Sequence, residues 1–257
     1  MYSIKVDSHV HSIASIHSYS TIEECAKQAS KKNLSCIAIT DHFGPVFSYP
    51  SLFQSYSSLS NMKCLPSYIN GVRVLRGVEI DIVDIEGHLA FYNTMPDFSP
   101  NVSICDRLMN SRELVIASVH AFGRKFGTIN QNTQMYINAL LNPYVNIIGH
   151  CDRDNIQFDL NEILYVAKKG GKIIEINNHS LSFGEDAFQR CKLIAEKCAQ
   201  KGVYISVGSD AHSAFSVGEF NDTITMLETI DFPQNLIANA DENRLFEVLS
   251  QQSHKKE

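Results

Sequence analysis

Seven short apolar runs punctuate the chain: YSIKVDS, LSCIAIT, VRVLRGVEI, ELVIASV, YVNIIG, GKIIEIN and GVYISVG. They are rich in Val and Ile and too short for helices, as buried parallel strands tend to be. Stretches of helical period separate most of them. STIEECAKQASKKN opens on a predicted capping box of Ser20 with Glu23. NTQMYINALLN, FDLNEILYVAKKGG and DAFQRCKLIAEKCAQKG follow, the last two ending in Gly as helix C-termini often do. EFNDTITMLETI and DENRLFEVLSQQ close the chain before a short polar tail. Alternation of this kind predicts an α/β fold with a parallel sheet, and about seven units favour a closed or nearly closed barrel. With 257 residues, 44% of them hydrophobic, and neither an internal repeat nor a Pro/Gly-rich linker, residues 1–257 are expected to form a single domain.

The formal charge of −6 disfavours capture of long nucleic acid by the whole surface. No run of about 18 apolar residues predicts a membrane span, and the MYSIKVDSH start lacks the basic and apolar regions of a signal peptide. Seven cysteines, none in a C-x-x-C pair, read as free thiols, so the expected location is cytoplasmic. Cys25 and Cys36 fit core positions; Cys151 follows His150 and, as a strand neighbour, points to the other face.

Polar residues gather where the apolar runs stop. The first run leads into His9 and His11, the second into Thr40, Asp41 and His42, and the third into Glu79. The later runs lead into His120, then His150, then Glu175, Asn177 and Asn178, then Asp210 and His212. In parallel barrels the C-terminal rim of the strands carries the site. On an extended strand, residues two apart share a face, so His9 and His11 are able to grip one ion. With His17 in the loop after the first run, seven histidines with Glu79 and Asp210 are too many ligands for one tetrahedral ion and fit two or three metals, a carboxylate bridging a pair.

The motifs DSHVHS, ITDH, RGVE, SVH, IIGH and GSDAHSAF resemble those of the PHP (polymerase and histidinol phosphatase) superfamily, most closely its small single-domain bacterial phosphatases. The resemblance runs from residue 4 to about residue 249. It implies a distorted TIM-like (β/α)7 barrel with a trinuclear metal site, usually zinc, at the C-terminal rim; manganese or iron also suit such ligands. Carried over position by position, His9, His11, Glu79 and Asp210 would hold one ion. Glu79 would bridge to a second, on His120 and His150, and His17, His42 and His212 would hold a third. The loops after His42 and His120 depart from the family in content, which bears on substrate identity.

The expected activity is hydrolysis of a small phosphomonoester by metal-activated water. Catalytic roles fall to Glu79 and Asp210 and to Asp41, which shares with a metal-bound water the candidacy for proton donor to the leaving group. Arg124, Lys125 and Arg153 follow two of the rims and are candidates to hold a second phosphate or acidic group, against a plain reading as solvated loop charge. His179 is a candidate substrate contact. The rival enzyme reading is a phosphodiesterase or nuclease acting on short nucleic acids; the rival outside catalysis is a metal-binding regulatory module. Ser209, Asp210 and His212 lie too close in sequence for a serine-hydrolase triad. His88 reads as part of a Gly-turn hairpin, and the stripe Leu52, Phe53, Tyr56, Leu59 as packing.

Overall fold

A computed structural model describes residues 2–45, 52–97, 100–121, 126–153 and 156–252. The strands are β1 (Val6–Val10), β2 (Cys36–Ile39), β3 (His42–Phe43), β4 (Tyr68–Ile69), β5 (Val72–Asp81), β6 (Leu114–Ser118), β7 (Ile147–Ile148), β8 (Ile173–Asn177) and β9 (Ile205–Gly208). The helices are α1 (Ile22–Lys31), α2 (Leu52–Ser60), α3 (Ile104–Asn110), α4 (Ile129–Leu141), α5 (Leu160–Gly170), α6 (Glu185–Lys201), α7 (Asn221–Thr229) and α8 (Glu242–Gln251). The parallel order β1-β2-β5-β6-β7-β8-β9 follows the chain, with β3 and β4 added against β5. This is the expected α/β barrel, nearly closed. None of the helices is long and apolar enough to cross a membrane among the described residues.

Closure between β1 and β9 uses two devices. At the top, Val10 pairs with Ala211, and the His11 amide donates to the Ala211 carbonyl at 2.9 Å. Lower down, the segment before α8 wedges between the strands. There Asn239 Nδ2 donates to the Val6 and Val207 carbonyls at 2.8 and 2.7 Å, while its Oδ1 accepts from the Val207 amide. A buried side-chain amide thus satisfies backbone groups the open seam would leave unpaired.

Strand parity sorts the side chains. Val6, Cys36, Ala38, Leu75, Leu114, Ile116, Ile147 and Ile173 fill the barrel, and Leu245 and Val248 of α8 close its lower end. The alternate residues pack outward under the helices, as Val74, Val78, Val115, Ala117, Ile174 and Val207 do. On β5 the inward set continues from Leu75 through Gly77 to Glu79 and Asp81, so one strand passes from apolar floor to carboxylate rim. Gly77 is needed on the way, since a Cβ there would lie 2.7 Å from Thr40 Cγ2.

Local signals hold with one shift. The cap of α1 is Thr21 with Glu24, each side chain meeting the other's backbone, rather than Ser20 with Glu23. Ser20 instead accepts the Ala214 amide at 2.8 Å, tying the first loop to the last rim. In α2, Leu59 is buried and Leu52 and Tyr56 pack on the core, while Phe53 is exposed. Gly87 turns the chain at positive φ so that Ile82 pairs antiparallel with Leu89. His88 sits half-buried there against Asp84.

Candidate metal centre

A β-bulge builds the first half of the centre. Between Asp7 and Val10, β1 advances three residues while its partner advances two, from Ile37 to Ile39. The extra residue changes the strand's phase, so Val6 faces the barrel's interior and His9 and His11 do too. His9 and His11 both approach Glu79 Oε2, at 3.3 and 3.4 Å from their Nε2 atoms, and Asp210 Oδ1, at 3.5 and 3.2 Å.

Glu79 is fully buried at the centre of the rim. Its Oε2 also faces His42 Nδ1 at 2.8 Å. Its Oε1 faces His150 Nε2 at 2.8 Å and His120 Nε2 at 3.6 Å, and accepts from Ser118 Oγ at 2.5 Å. The two oxygens of one carboxylate therefore address two sets of imidazoles. His17 and His42 stack at 5.1 Å between ring centres, and His17 and His212 lie 4.4 Å apart. Among the described residues, three groups at the rim have ligand atoms close enough to share an ion: His9, His11 and Glu79; His42, Glu79 and His120; and His11, His42 and His212. A fourth group, Asp84, Glu86 and His88, lies away from the rim.

The tautomers follow from partners that can only accept. His9 Nδ1 donates to Glu175 Oε1 at 2.7 Å, His120 Nδ1 to Asp81 Oδ1 at 2.8 Å, and His212 Nδ1 to the Asp210 carbonyl at 2.9 Å. His11 Nδ1 meets Ser15 Oγ at 3.2 Å, and that hydroxyl's proton goes to Asp41 Oδ1 at 2.7 Å. Each of these rings then aims an Nε2 lone pair inward. The Nε2 atoms of His9, His11 and His212 and Glu79 Oε2 are buried with no hydrogen-bond partner. Converging imidazole lone pairs and a carboxylate oxygen without a donor are what a cation satisfies, and the donor set suits borderline metals such as zinc. The residues present fit bound divalent ions.

The electrostatics agree. Burial opposes ionisation of Glu79, yet His9, His42 and His120 hold it well below the usual carboxylate range. Asp210 is likewise buried and likewise held low, by His9 and Arg153. Burial alone would depress His9, but Glu175, Glu79 and Asp210 raise it well above an ordinary imidazole. Burial, with His212 and His42 nearby, brings His17 down to about 4. Backbone strain marks two of the same residues: His150 and Asp210 adopt positive φ, 24° and 54°.

Asp41 takes a different place from the one expected. Its carboxylate accepts from the Ser12 amide and from the Ser12 and Ser15 hydroxyls, each at 2.7 Å. It borders a small side cavity with Ser57 and Leu59, not the main cleft. That geometry fits it to holding the first loop and, through Ser15, the His11 ring, rather than to proton donation in the cleft. Arg153 does reach the cleft, but its guanidinium is engaged: Nη2 meets Asp210 Oδ2 at 2.6 Å and Asn177 Oδ1 at 2.8 Å, and Nε meets Ser180 Oγ at 2.8 Å. Arg124 and Lys125 lie outside the described residues. Cys151 is buried in the outer core, where burial raises its thiol well above the ordinary value.

Two further carboxylates orient imidazoles of the centre, Asp81 that of His120 and Glu175 that of His9. Asp81 lies two residues beyond Glu79, a parity signal present in RGVEID. Glu175 ends an apolar run, but nothing local shows that it spans His9 and the His150 amide, which it accepts at 2.9 Å. A cleft of about 720 Å³ opens above the centre, lined by His17, His42, His120, Asp210 and His212 on one side and by His179, Phe183, Ala187 and Arg190 on another. That is the size of a small-molecule site.

Comparison with known proteins defines the class. The PHP domain model matches residues 7–205. A probable phosphatase of Acetivibrio thermocellus is 34% identical over 250 residues, covering 97% of both chains. A probable phosphatase of Thermoanaerobacter sp. (strain X514) is 37% identical over 252 residues, covering 97% of this chain and 96% of its own. Among solved structures, a histidinol phosphate phosphatase of Lactococcus lactis, complexed with zinc, L-histidinol and phosphate, superposes with a TM-score of 0.58 at 21% identity. It covers 89% of this chain and 94% of its own, a likeness of fold. The chain belongs to the PHP-domain family. Its enzyme class is that of a phosphatase, a phosphoric ester hydrolase.

Proposed function

We propose that the protein hydrolyses a small phosphomonoester at a centre of three divalent ions held by His9, His11, His17, His42, Glu79, His120, His150, Asp210 and His212. The observation that carries this reading is Glu79, buried beneath a small-molecule cleft, whose two oxygens face separate groups of imidazoles. Bound divalent ions at such a centre supply Lewis acidity, lowering the pKa of water and neutralising phosphoryl charge. Zinc suits the imidazole-rich set; manganese and iron are compatible with it.

The chain's own groups supply the rest. Glu175, Asp81 and the Asp41–Ser15 pair fix the rings of His9, His120 and His11, and so the direction of their lone pairs. Arg153 holds Asp210 Oδ2 in place and keeps its carboxylate ionised. His179 lines the cleft outside the ligand set. Burial lowers its pKa, so at neutral pH it offers the substrate one N–H and one lone pair. Val119, Phe183 and Ala187 give the cleft an apolar wall that limits water around the ester.

The test is hydrolysis by protein loaded separately with zinc and manganese, with a phosphomonoester set against its matched diester and Asp210→Ala as the blank. Monoester turnover that disappears in the variant, with about three ions per chain by elemental analysis, is expected. Turnover of the diester alone would transfer the protein to the nuclease side.

A further inference from the structure

The ligand set explains one end of the cleft and leaves the other without a purpose. That other end is built by the turn before α6 and its first turns, which bring His179, Phe183, Ala187 and Arg190 to the same wall. Helical spacing buries Ala187 and Cys191 against the core and leaves Arg190, on the same flank, at the cleft's edge.

Among the described residues, the two arginines that line the cleft differ in how their charge is met. Arg153 is neutralised by Asp210 and further held by Asn177 and Ser180. Among the described residues, Arg190 makes one hydrogen bond, from Nε to the Asp152 carbonyl at 2.7 Å, and no ion pair. That bond fixes the guanidinium plane and leaves both Nη groups for a ligand. A partly buried guanidinium without a counter-charge, in a chain of net charge −6, is a standing attraction for an anion. Its planar fork matches a carboxylate or phosphate through two parallel hydrogen bonds. Between it and the histidine rim the cleft presents apolar groups from three segments: Phe183 on the turn before α6, Ala187 on α6 and Val119 after β6.

We infer that the substrate is a phosphomonoester whose leaving group carries a second anionic group, a carboxylate or a further phosphate, which pairs with Arg190 across an apolar spacer lying on Phe183 and Ala187. The inference rests on the phosphatase reading for which end of the cleft receives the phosphoryl group. Arg190 is a specificity-determining residue in it and takes no part in the chemistry.

Non-hydrolysable benzylphosphonates test it by calorimetry on the full, metal-loaded chain. Three ligands carry a para carboxymethyl, phosphonomethyl or carbamoylmethyl group, the last being the neutral isostere of the first. The wild type is expected to bind at least one acid about tenfold or more tighter than the amide. Arg190→Gln is expected to bring that ratio close to one, and Arg190→Lys to restore part of it. The ratio within one protein is insensitive to its folded fraction, so a damaged variant does not mimic the result. The two acid arms separate a carboxylate from a second phosphate. Equal binding of amide and acids by the wild type, no binding of either acid, or a preference that survives Arg190→Gln overturns the inference. A preference that depends on Arg190 in a protein without monoester turnover would remove the phosphatase reading and leave the anion subsite standing.

Discussion

At the N-terminal ends of the strands, Val6, Cys36, Leu75, Leu114, Ile147 and Ile173 meet α8 in a dry apolar floor. At the C-terminal ends of the same strands, His9, Glu79, Ser118, His150 and Glu175 are as deeply buried and almost wholly polar. The floor needs no partner beyond contact, because apolar burial is non-directional and grows with area. The rim does need partners, because every buried donor, acceptor and charge costs free energy until something meets it. Residues on the same strands, at equal burial, thus make one half satisfied by contact alone and one whose buried polar groups call for partners. Fold stability and metal chemistry are thereby separated along the barrel axis, and substitutions in each half should report on it separately.

The largest effect is expected from Glu79→Gln. The bridging charge is lost while shape is kept, so metal occupancy and turnover should fall by more than the roughly 100-fold typical of losing an orienting contact, with far-UV circular dichroism unchanged. Full metal stoichiometry and activity in this variant would break the comparison. Leu75→Ala is its mirror image. A cavity in the floor should cost about 2–5 kcal/mol in denaturant unfolding, with metal stoichiometry and monoester KM retained in the folded protein. A matching loss of metal would show that the halves are coupled.

Glu175→Gln sharpens the boundary. Gln can still accept from His9 Nδ1, but the charge that polarises the ring is gone and its NH2 group competes for the position facing the His150 amide. Metal affinity should weaken by about 10–100-fold, read by competition with a chromogenic chelator. Unchanged affinity would reduce Glu175 to packing. The smallest effect concerns protons. In metal-free protein, Glu175, Glu79 and Asp210 overcome burial to raise His9 above the ordinary imidazole value, which favours a second proton on the ring. Metal uptake must displace it. Calorimetry in buffers of different ionisation enthalpy should show proton release at pH 7 that shrinks as pH rises through the His9 pKa, and affinity that weakens as pH falls. Uptake that releases no protons would mean that His9 is already neutral.

Much of the rim was legible because parity and punctuation are local. RGVEID puts Glu79 and Asp81 on one face of one strand, and H-x-H does the same for His9 and His11, whatever the rest of the chain does. The α1 cap was misread by one residue because Ser20 and Thr21 are chemically interchangeable there; the choice came from Ala214, nearly two hundred residues away, whose amide Ser20 accepts. Asp41 looked like a free acid in ITDH and is spent on Ser12 and Ser15. No local pattern announces such a loss, because the competing donors arrive on another loop.

By itself the sequence determined the strand–helix alternation, the apolar character of the strands and the chemical identity of the rim, since these rest on side-chain type and on periods of two and 3.6 residues. Only the tertiary structure decided the bulge that turns His9 and His11 inward, the Asn239 seam and the link from Glu175 to His9 across 166 positions. It also decided which arginine of the cleft is neutralised and which is not. The physical reason is that hydrogen bonds and ion pairs fall off within a few ångströms. Their partners are therefore set by where the closed barrel brings distant segments together, which no local window of residues records.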